Sequence, residues 1–262
     1  MHFQVISSGS KGNITFIKTN KCNVLIDTGI SLKEINSRVD IDMKTIDAIF
    51  ITHEHIDHVR YIEKIARETD AVIYVNELSF KQIYNKYIKN IEGLKVKFIK
   101  PNETITIKDL KVMPINLQHD VECCYGYIFV SENKSLAYCT DTGFIPLPYI
   151  PLLKKVDSFI IEANHDVEML LQSQRPWHLK NRILSVNGHM SNITCGEILN
   201  MIVQEKKLKK IVLAHLSEEC NDPELAVDTI LQLIEGEYIP EIYVAKQDEA
   251  LPLLEVQKWI LK

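Results

Sequence analysis

At 262 residues the chain is long enough to bury a large core, and 46% hydrophobic with 25% charged residues is typical of a globular protein. The formal net charge of −5 argues against a broadly basic nucleic-acid-binding protein, although it leaves room for a local basic patch. No apolar run approaches the length of a membrane span, so we expect no membrane partner, and the first residues show no secretory-signal pattern. The six cysteines fit neither a zinc-binding nor a dense disulfide pattern, so we expect reduced thiols in a cytoplasmic protein.

The first part of the chain reads as a strand meander followed by alternating strands and helices. Short apolar runs indicate the strands, and apolar residues at helical spacing indicate the helices. In chain order we predict strands at 3–8, 13–19, 22–27 and 47–52, a helix at 58–69, a strand at 71–75 and a helix at 77–89.

The second part repeats this order. We predict strands within 96–116 with a turn at 108–109, a hairpin at 126–140 turned at 132–134, a strand at 158–162, a helix at 192–206, a strand at 211–215, a helix at 223–235 and a strand at 242–245. Thr194 and Glu197 are spaced as a capping box for the helix at 192–206. Since no linker or repeat separates the two parts, we expect an α/β fold of two packed sheets with helices outside. This αββα four-layer sandwich would be a single domain of residues 1–262.

Residues 52–58, Thr-His-Glu-His-Ile-Asp-His, contain His53, His55, Asp57 and His58, which are four candidate metal ligands. The segment lies between a predicted strand and a predicted helix, at a sheet rim where loops carry chemistry. In extended backbone His53 and His55 point to the same side and can bind one ion. Imidazoles together with a carboxylate suit zinc, manganese or iron.

Three later polar residues each follow an apolar strand, so each strand delivers its residue to an edge of a sheet. These residues are His119, Asp141 and His215. A single residue of this kind is usually part of a turn, but three in this order are candidate ligands.

The His-x-His-x-Asp-His segment resembles the signature of the metallo-β-lactamase superfamily without a mismatch. The resemblance implies that His53, His55 and His119 bind one metal ion. It also implies that Asp57, His58 and His215 bind a second ion and that Asp141 bridges both. Two divalent ions (Zn, Mn or Fe) would then activate a water held between them. Many zinc β-lactamases have cysteine instead of a bridging aspartate, which argues against antibiotic hydrolysis.

A closer resemblance, to the YycJ (WalJ) group, covers nearly the whole chain. It rests on the segments at 7–13, 161–170, 175–177, 179–185, 188–192 and 214–217. This group is viewed as cytoplasmic bacterial metallohydrolases proposed to be DNA exonucleases. The resemblance therefore implies a binuclear phosphodiesterase or nuclease, with DNA as the nucleic-acid partner.

Other polar residues have two interpretations each. Asp27 ends a buried strand and is either a turn residue or a carboxylate that orients a ligand histidine. His189 is the predicted proton-transfer residue, by analogy with related phosphodiesterases, and otherwise supports the site. We count Asp57 and His165 among the catalytic residues as well. Glu162 and His165 either act at the site or only build a loop.

Arg175, Trp177, Lys180 and Arg182 combine cations with one aromatic side chain. This combination suits contact with phosphates and bases, although it also fits an ordinary amphipathic surface.

The sequence leaves two other functions open. One is a small-substrate hydrolase, either a cyclic phosphodiesterase or a thioesterase of glyoxalase II type. The other is a weakly active, metal-containing regulatory protein, which the complete predicted ligand set disfavours.

Overall fold

The structure, a computed structural model, describes residues 1–257. Its strands are β1 His2–Ser7, β2 Ile14–Lys18, β3 Asn23–Ile26, β4 Ala48–Phe50, β5 Val72–Val75, β6 Lys95–Phe98, β7 Ile105–Ile107, β8 Leu110–Leu117, β9 Cys124–Ser131, β10 Lys134–Cys139, β11 Ser158–Glu162, β12 Lys210–Ala214, β13 Glu241–Val244 and β14 Leu254–Glu255. Its helices are α1 Leu32–Arg38, α2 Ile56–Val59, α3 Ile62–Thr69, α4 Glu77–Tyr87, α5 Ile150–Leu153, α6 Val167–Gln172, α7 Trp177–Leu184, α8 Asn192–Val203 and α9 Pro223–Leu233.

The strands form two seven-stranded sheets. The first has the order β14-β1-β2-β3-β4-β5-β6, and the second has the order β13-β12-β11-β10-β9-β8-β7. In each sheet an antiparallel part made of hairpins continues into a parallel part, in which helices connect the strands. The carboxyl ends of the parallel strands therefore meet at one edge of the sandwich.

Three apolar clusters separate four layers. The cluster between the sheets contains Phe3, Phe50 and Phe129, all fully buried. A second cluster lies between the first sheet and helices α1, α3 and α4, and a third joins the second sheet to α5, α8 and α9. The αββα sandwich predicted from the sequence is thus confirmed. No helix within residues 1–257 is long and apolar enough to cross a membrane.

The predicted helix at 58–69 is wrong at its start, because the chain forms two helices that break at Tyr61. The backbone N–H of Tyr61 donates to the carbonyl oxygen of Thr28 at 3.1 Å, and the carbonyl oxygen of His58 accepts from the N–H of Thr28 at 2.7 Å. These tertiary hydrogen bonds replace helical ones and fix the metal-ligand segment against the end of β3.

The capping box at Thr194 and Glu197 is also wrong. Helix α8 begins at Asn192, and its cap is Ser191, whose side chain accepts from the backbone N–H of Thr194 at 3.1 Å. Helices α1, α5, α6 and α7 are not among the elements predicted from the sequence. The single-domain prediction for 1–262 includes residues 258–262, which lie outside the described residues, and it stays a prediction.

Candidate metal centre

The predicted ligands meet at the edge of the sandwich where the parallel strands end. His53, His55, Asp57 and His58 follow β4, His119 follows β8, Asp141 follows β10, and His215 follows β12. Asp27, Asp141 and His215 each end a strand with a positive φ, of 62°, 58° and 57°. Such backbone is strained for residues other than glycine and is concentrated at functional sites.

The first group of candidate ligands, named group 1 here, consists of His53, His55 and His119. One ring nitrogen of each lies within 4.8 Å of the others, and the ring centroids are 4.7 to 5.1 Å apart. This spacing allows one ion to contact all three imidazoles.

Group 2 consists of Asp57, His58 and His215, whose ligand atoms also lie within 4.8 Å of one another. Asp57 Oδ2 is 3.3 Å from His58 Nε2 and 3.7 Å from His215 Nε2. The carboxylate therefore faces the edges of both rings.

Asp141 lies between the two groups. Its Oδ2 is 3.4 Å from His58 Nε2, and its Oδ1 is 3.5 Å from His215 Nε2. It also forms a possible ligand set with His53 and His58. This placement gives one carboxylate access to both groups, as bridging requires.

Three buried atoms of the centre have no hydrogen-bond partner among the described residues, namely His53 Nε2, Asp141 Oδ2 and His215 Nε2. A buried polar atom without a partner costs about 1–3 kcal/mol, so native structures seldom keep one unused. Cations bound at groups 1 and 2 would satisfy all three. The residues present therefore fit the divalent metal ions that the sequence predicts.

Charge within group 2 also favours a cation. Burial alone would lower the pKa of His58, but the carboxylates of Asp141, Asp57 and Asp27 outweigh burial and raise that pKa well above its usual value. Burial likewise opposes charge on His215, yet Asp141, Asp57 and Glu162 raise its pKa to about 10. The carboxylates thus create a strongly negative field at buried positions.

The turn that follows β3 holds His58 in place. Asp27 is fully buried, and its Oδ2 lies 2.7 Å from His58 Nδ1. Thr52 donates its backbone N–H to Asp27 Oδ1 at 2.9 Å, and its hydroxyl lies 3.0 Å from His53 Nδ1. The contact between Asp27 and His58 Nδ1 leaves His58 Nε2 facing the other ligands. This is the arrangement expected of a carboxylate that orients a metal-binding imidazole.

Glu162, at the end of β11, is fully buried and contacts two histidines. Its Oε1 lies 2.7 Å from His189 Nδ1 and 3.2 Å from His215 Nδ1, and its Oε2 accepts from the N–H of Thr142 at 2.8 Å. Burial would raise the pKa of Glu162, but the two histidines outweigh it and hold that pKa low. Glu162 is therefore a charged link between His189 and group 2.

His165 lies deeper. It is buried, and neither of its ring nitrogens has a hydrogen-bond partner among residues 1–257. Burial lowers its pKa to about 4 despite Glu162, so the ring is neutral. The structure does not bring His165 into contact with the candidate ligands, and its predicted catalytic role remains untested.

Two openings lead to the centre. The small cavity, of about 130 Å³, is lined by His119, His189 and His215, together with Arg175 and Arg182. The wide cleft, of about 740 Å³, is lined by His55 and His119 with residues from α4 and the 119–122 loop.

The predicted substrate-binding cluster divides between two places. Arg175 and Arg182 line the small cavity. Lys180 is buried, and its Nζ donates to the carbonyl oxygens of Leu171 and Ser173, so it is not available to a ligand. Trp177 is 63% exposed but lies five residues, or about 140°, around α7 from Arg182. Only the two arginines therefore face the centre.

Sequence reasoning missed several polar residues of the site. Asn13 Nδ2 lies 3.2 Å from Asp57 Oδ2 and 3.0 Å from His58 Nε2, and Ser8 Oγ accepts from the N–H of His215 at 2.8 Å. Both belong to the opening 7–13 segment, whose sequence carries no ligand pattern of its own. Asp120 was missed as well, although it directly follows the candidate ligand His119.

The fold and the ligand set define a class of protein. The chain belongs to the metallo-β-lactamase superfamily, since the family model Lactamase_B_2, a β-lactamase superfamily domain, matches residues 22–215. The family predicted from the sequence is thereby confirmed.

Two relatives show a more specific sequence similarity. The chain is 34% identical to exodeoxyribonuclease WalJ of Streptococcus pneumoniae strain D39, over 97% of each chain. It is 32% identical to exodeoxyribonuclease YycJ of Bacillus anthracis, over 90% of this chain and 89% of the relative. Among solved structures, the metallo-β-lactamase fold protein YhfI of Bacillus subtilis superposes with a TM-score of 0.73 at 16% identity, over 96% of this chain and 99% of that one. This last likeness shows the fold alone.

Proposed function

We propose that the chain is a divalent-metal-dependent exodeoxyribonuclease with a cytoplasmic location. The observation that carries the proposal is the convergence of groups 1 and 2 on Asp141, with three buried ligand atoms left without partners. We choose DNA as the substrate because two relatives that match nearly the whole chain are named exodeoxyribonucleases. The free cysteines, five of which are buried, agree with a reducing compartment.

Groups 1 and 2 would hold one ion each, with Asp141 shared between them. Bound divalent ions supply two things to phosphodiester hydrolysis, which are neutralisation of charge developing on the phosphate and activation of a water molecule. The protein contributes the placement of the ligands. Asp27 orients His58 from behind, and Glu162 does the same for His215 through its Nδ1.

His189 is the proposed proton donor to the leaving oxygen. Its Nδ1 lies 2.7 Å from Glu162 Oε1, so the buried carboxylate fixes the orientation of the ring. The ring is partly exposed and lines the small cavity beside His215. A histidine anchored in this way can present its other nitrogen to a substrate.

Arg175 and Arg182 would contact phosphate groups of the DNA at the rim of the small cavity. Each now pairs one guanidinium nitrogen with a carboxylate, since Nε of Arg175 lies 2.8 Å from Glu219 Oε2 and Nε of Arg182 contacts Asp120 Oδ2. Arginine binds phosphate in a two-pronged manner, and the remaining nitrogens of each side chain are suited to that contact.

The test is a substrate panel with the metal-free protein reconstituted with zinc or with manganese. End-labelled DNA, end-labelled RNA and bis(p-nitrophenyl) phosphate are incubated with equal enzyme. We expect stepwise loss of nucleotides from DNA, abolished by chelation. Cleavage of the small ester with no degradation of DNA would instead indicate a small-substrate phosphodiesterase.

A further inference from the structure

The wide cleft and the small cavity are lined by different parts of the candidate metal centre. His55 of group 1 faces the wide cleft, whereas His215 of group 2 and His189 face the small cavity. A polynucleotide that ran across the centre would have to pass from one opening into the other.

Within residues 1–257, only His119 and Asp120 line both openings, so these two residues form the boundary between them. Each is attached to the segment that carries α7. His119 Nδ1 lies 3.1 Å from the carbonyl oxygen of Gly188, and Asp120 Oδ2 forms an ion pair with Arg182 Nε. The boundary therefore has an inner contact at His119 and an outer contact at Asp120.

Asp120 is also directed towards group 1. Its Oδ1 lies 3.3 Å from His119 Nε2 and 3.7 Å from His55 Nε2. One carboxylate thus connects two ligands of group 1, which line the wide cleft, to Arg182, which lines the small cavity.

The volumes of the openings differ in a way that matters for a polymer. The wide cleft, at about 740 Å³, falls in the range of sites that bind whole small molecules, whereas the small cavity, at about 130 Å³, falls below it. The small cavity is therefore sized for one group of a substrate, whereas the wide cleft is sized for a longer segment.

We propose that the Asp120–Arg182 ion pair closes the passage between the wide cleft and the small cavity, so that a strand lying in the wide cleft reaches the centre only with its end. Asp120 is then a specificity-determining residue for strand ends. This inference rests on the proposed nuclease function, and it adds the structural cause of end dependence.

The ion pair can be removed without endangering the fold. The side chains of Arg182 and Asp120 are 54% and 25% exposed, and ion pairs that are partly open to solvent contribute little to folding. The inner contact between His119 and Gly188 does not use the Asp120 side chain and remains in its absence.

The experiment compares closed-circular DNA with linear DNA of the same sequence, in single-stranded and in duplex form. Wild type, Asp120→Asn and Asp120→Ala are compared as metal-reconstituted proteins. Glu218→Gln is the matched control, because it removes the carboxylate of another exposed ion pair, with Lys11, that does not lie between the openings. The readout is the ratio of circular to linear cleavage, which cancels a general change in activity.

A second readout does not depend on the metal. Gel-shift titrations in EDTA measure the affinity of each protein for the circular and linear forms. We expect wild type and Glu218→Gln to prefer linear DNA. Both Asp120 variants should raise the circular-to-linear ratio in both assays by about fivefold, the shift given by loss of an exposed pair worth up to about 1 kcal/mol.

Two results would overturn the inference while leaving the proposed function intact. One is a wild-type enzyme that cleaves circles as fast as linear DNA. The other is a linear-specific enzyme whose ratios stay unchanged in both Asp120 variants. A wild-type protein that degrades no form of DNA would overturn both the nuclease function and the inference.

Discussion

Adding a single methyl group at Gly29 should specifically disturb the candidate metal centre. Gly29 follows the Asp27–Thr28 turn and lies against the backbone of Asp57. A Cβ atom at position 29 would lie 1.8 Å from the carbonyl oxygen of Asp57 and 2.4 Å from the backbone nitrogen of Asn13. Real Cβ atoms keep at least 3.0 Å, so Gly29→Ala must separate the two segments by the difference, about 1.2 Å.

That displacement falls on the group 2 ligands. Asp57 and His58 follow one another, and the same turn also holds His58 through the hydrogen bond from Thr28 at 2.7 Å. Metal and catalytic sites tolerate errors of only about 0.5 Å, and a shift of about 1 Å costs roughly 10²-fold in function. We therefore expect Gly29→Ala to lose affinity for the group 2 ion while retaining its fold, at a cost of about 1–3 kcal/mol in the free energy of unfolding.

The assay is metal content by elemental analysis after dialysis, together with the rise in Tm on adding zinc. Gly93→Ala is the control. Gly93 has a φ of +78° with no atom within 4 Å of its Cβ position, and it precedes β6 at the opposite edge of the sheet. Gly93→Ala should lower the free energy of unfolding by about 1–2 kcal/mol through backbone strain and leave metal binding unchanged. A Gly29→Ala protein with wild-type metal content and wild-type stabilisation by zinc would refute the reasoning.

Three further predictions follow from the structure. His189→Ala should retain its metal and lose about 10²–10⁴-fold in turnover on DNA, with a smaller loss on a p-nitrophenyl ester whose leaving group needs little protonation; equal losses on both substrates would contradict the proton-donor role. Arg175→Ala and Arg182→Ala should each make the negative slope of log DNA affinity against log salt less steep by about one; unchanged slopes would place the DNA elsewhere. Cys123 is the one cysteine of six that is not buried, so Ellman's reagent should modify about one thiol in native protein and six after denaturation; rapid modification of several thiols would contradict the described burial.

The strands were predictable because each is a short apolar run between turn residues. The hairpin of β9 and β10, turned at Glu132 and Asn133, agrees closely with its prediction, and both residues adopt the positive φ that such turns require. Helix α7 was not predictable in the same way, since its residues mix charge with an exposed Trp177 and only a few of them are buried. The break at Tyr61 depends on hydrogen bonds to Thr28, which local periodicity cannot reveal.

The candidate ligands were predictable for a different reason. Imidazole and carboxylate groups at strand ends can be recognised as candidate ligands from the sequence alone, without knowledge of the fold. Residues that act through a distant partner carry no such signal. Asn13 meets Asp57 from 44 positions away, and Asp120 meets Arg182 from 62 positions away. Lys180 shows the opposite error, because its sequence suggests phosphate binding, yet its ammonium group is used inside the protein to bind two carbonyl oxygens.

We propose that two ions held by groups 1 and 2, with Asp141 between them, are required for degradation of DNA. The most direct test is a titration of the metal-free protein with manganese in which bound metal and degradation of end-labelled DNA are measured on the same samples. Activity should rise as the second equivalent binds, and Asp141→Ala should fail to reach two equivalents and stay inactive. Full activity at one equivalent or none, or double occupancy in Asp141→Ala, would contradict the account.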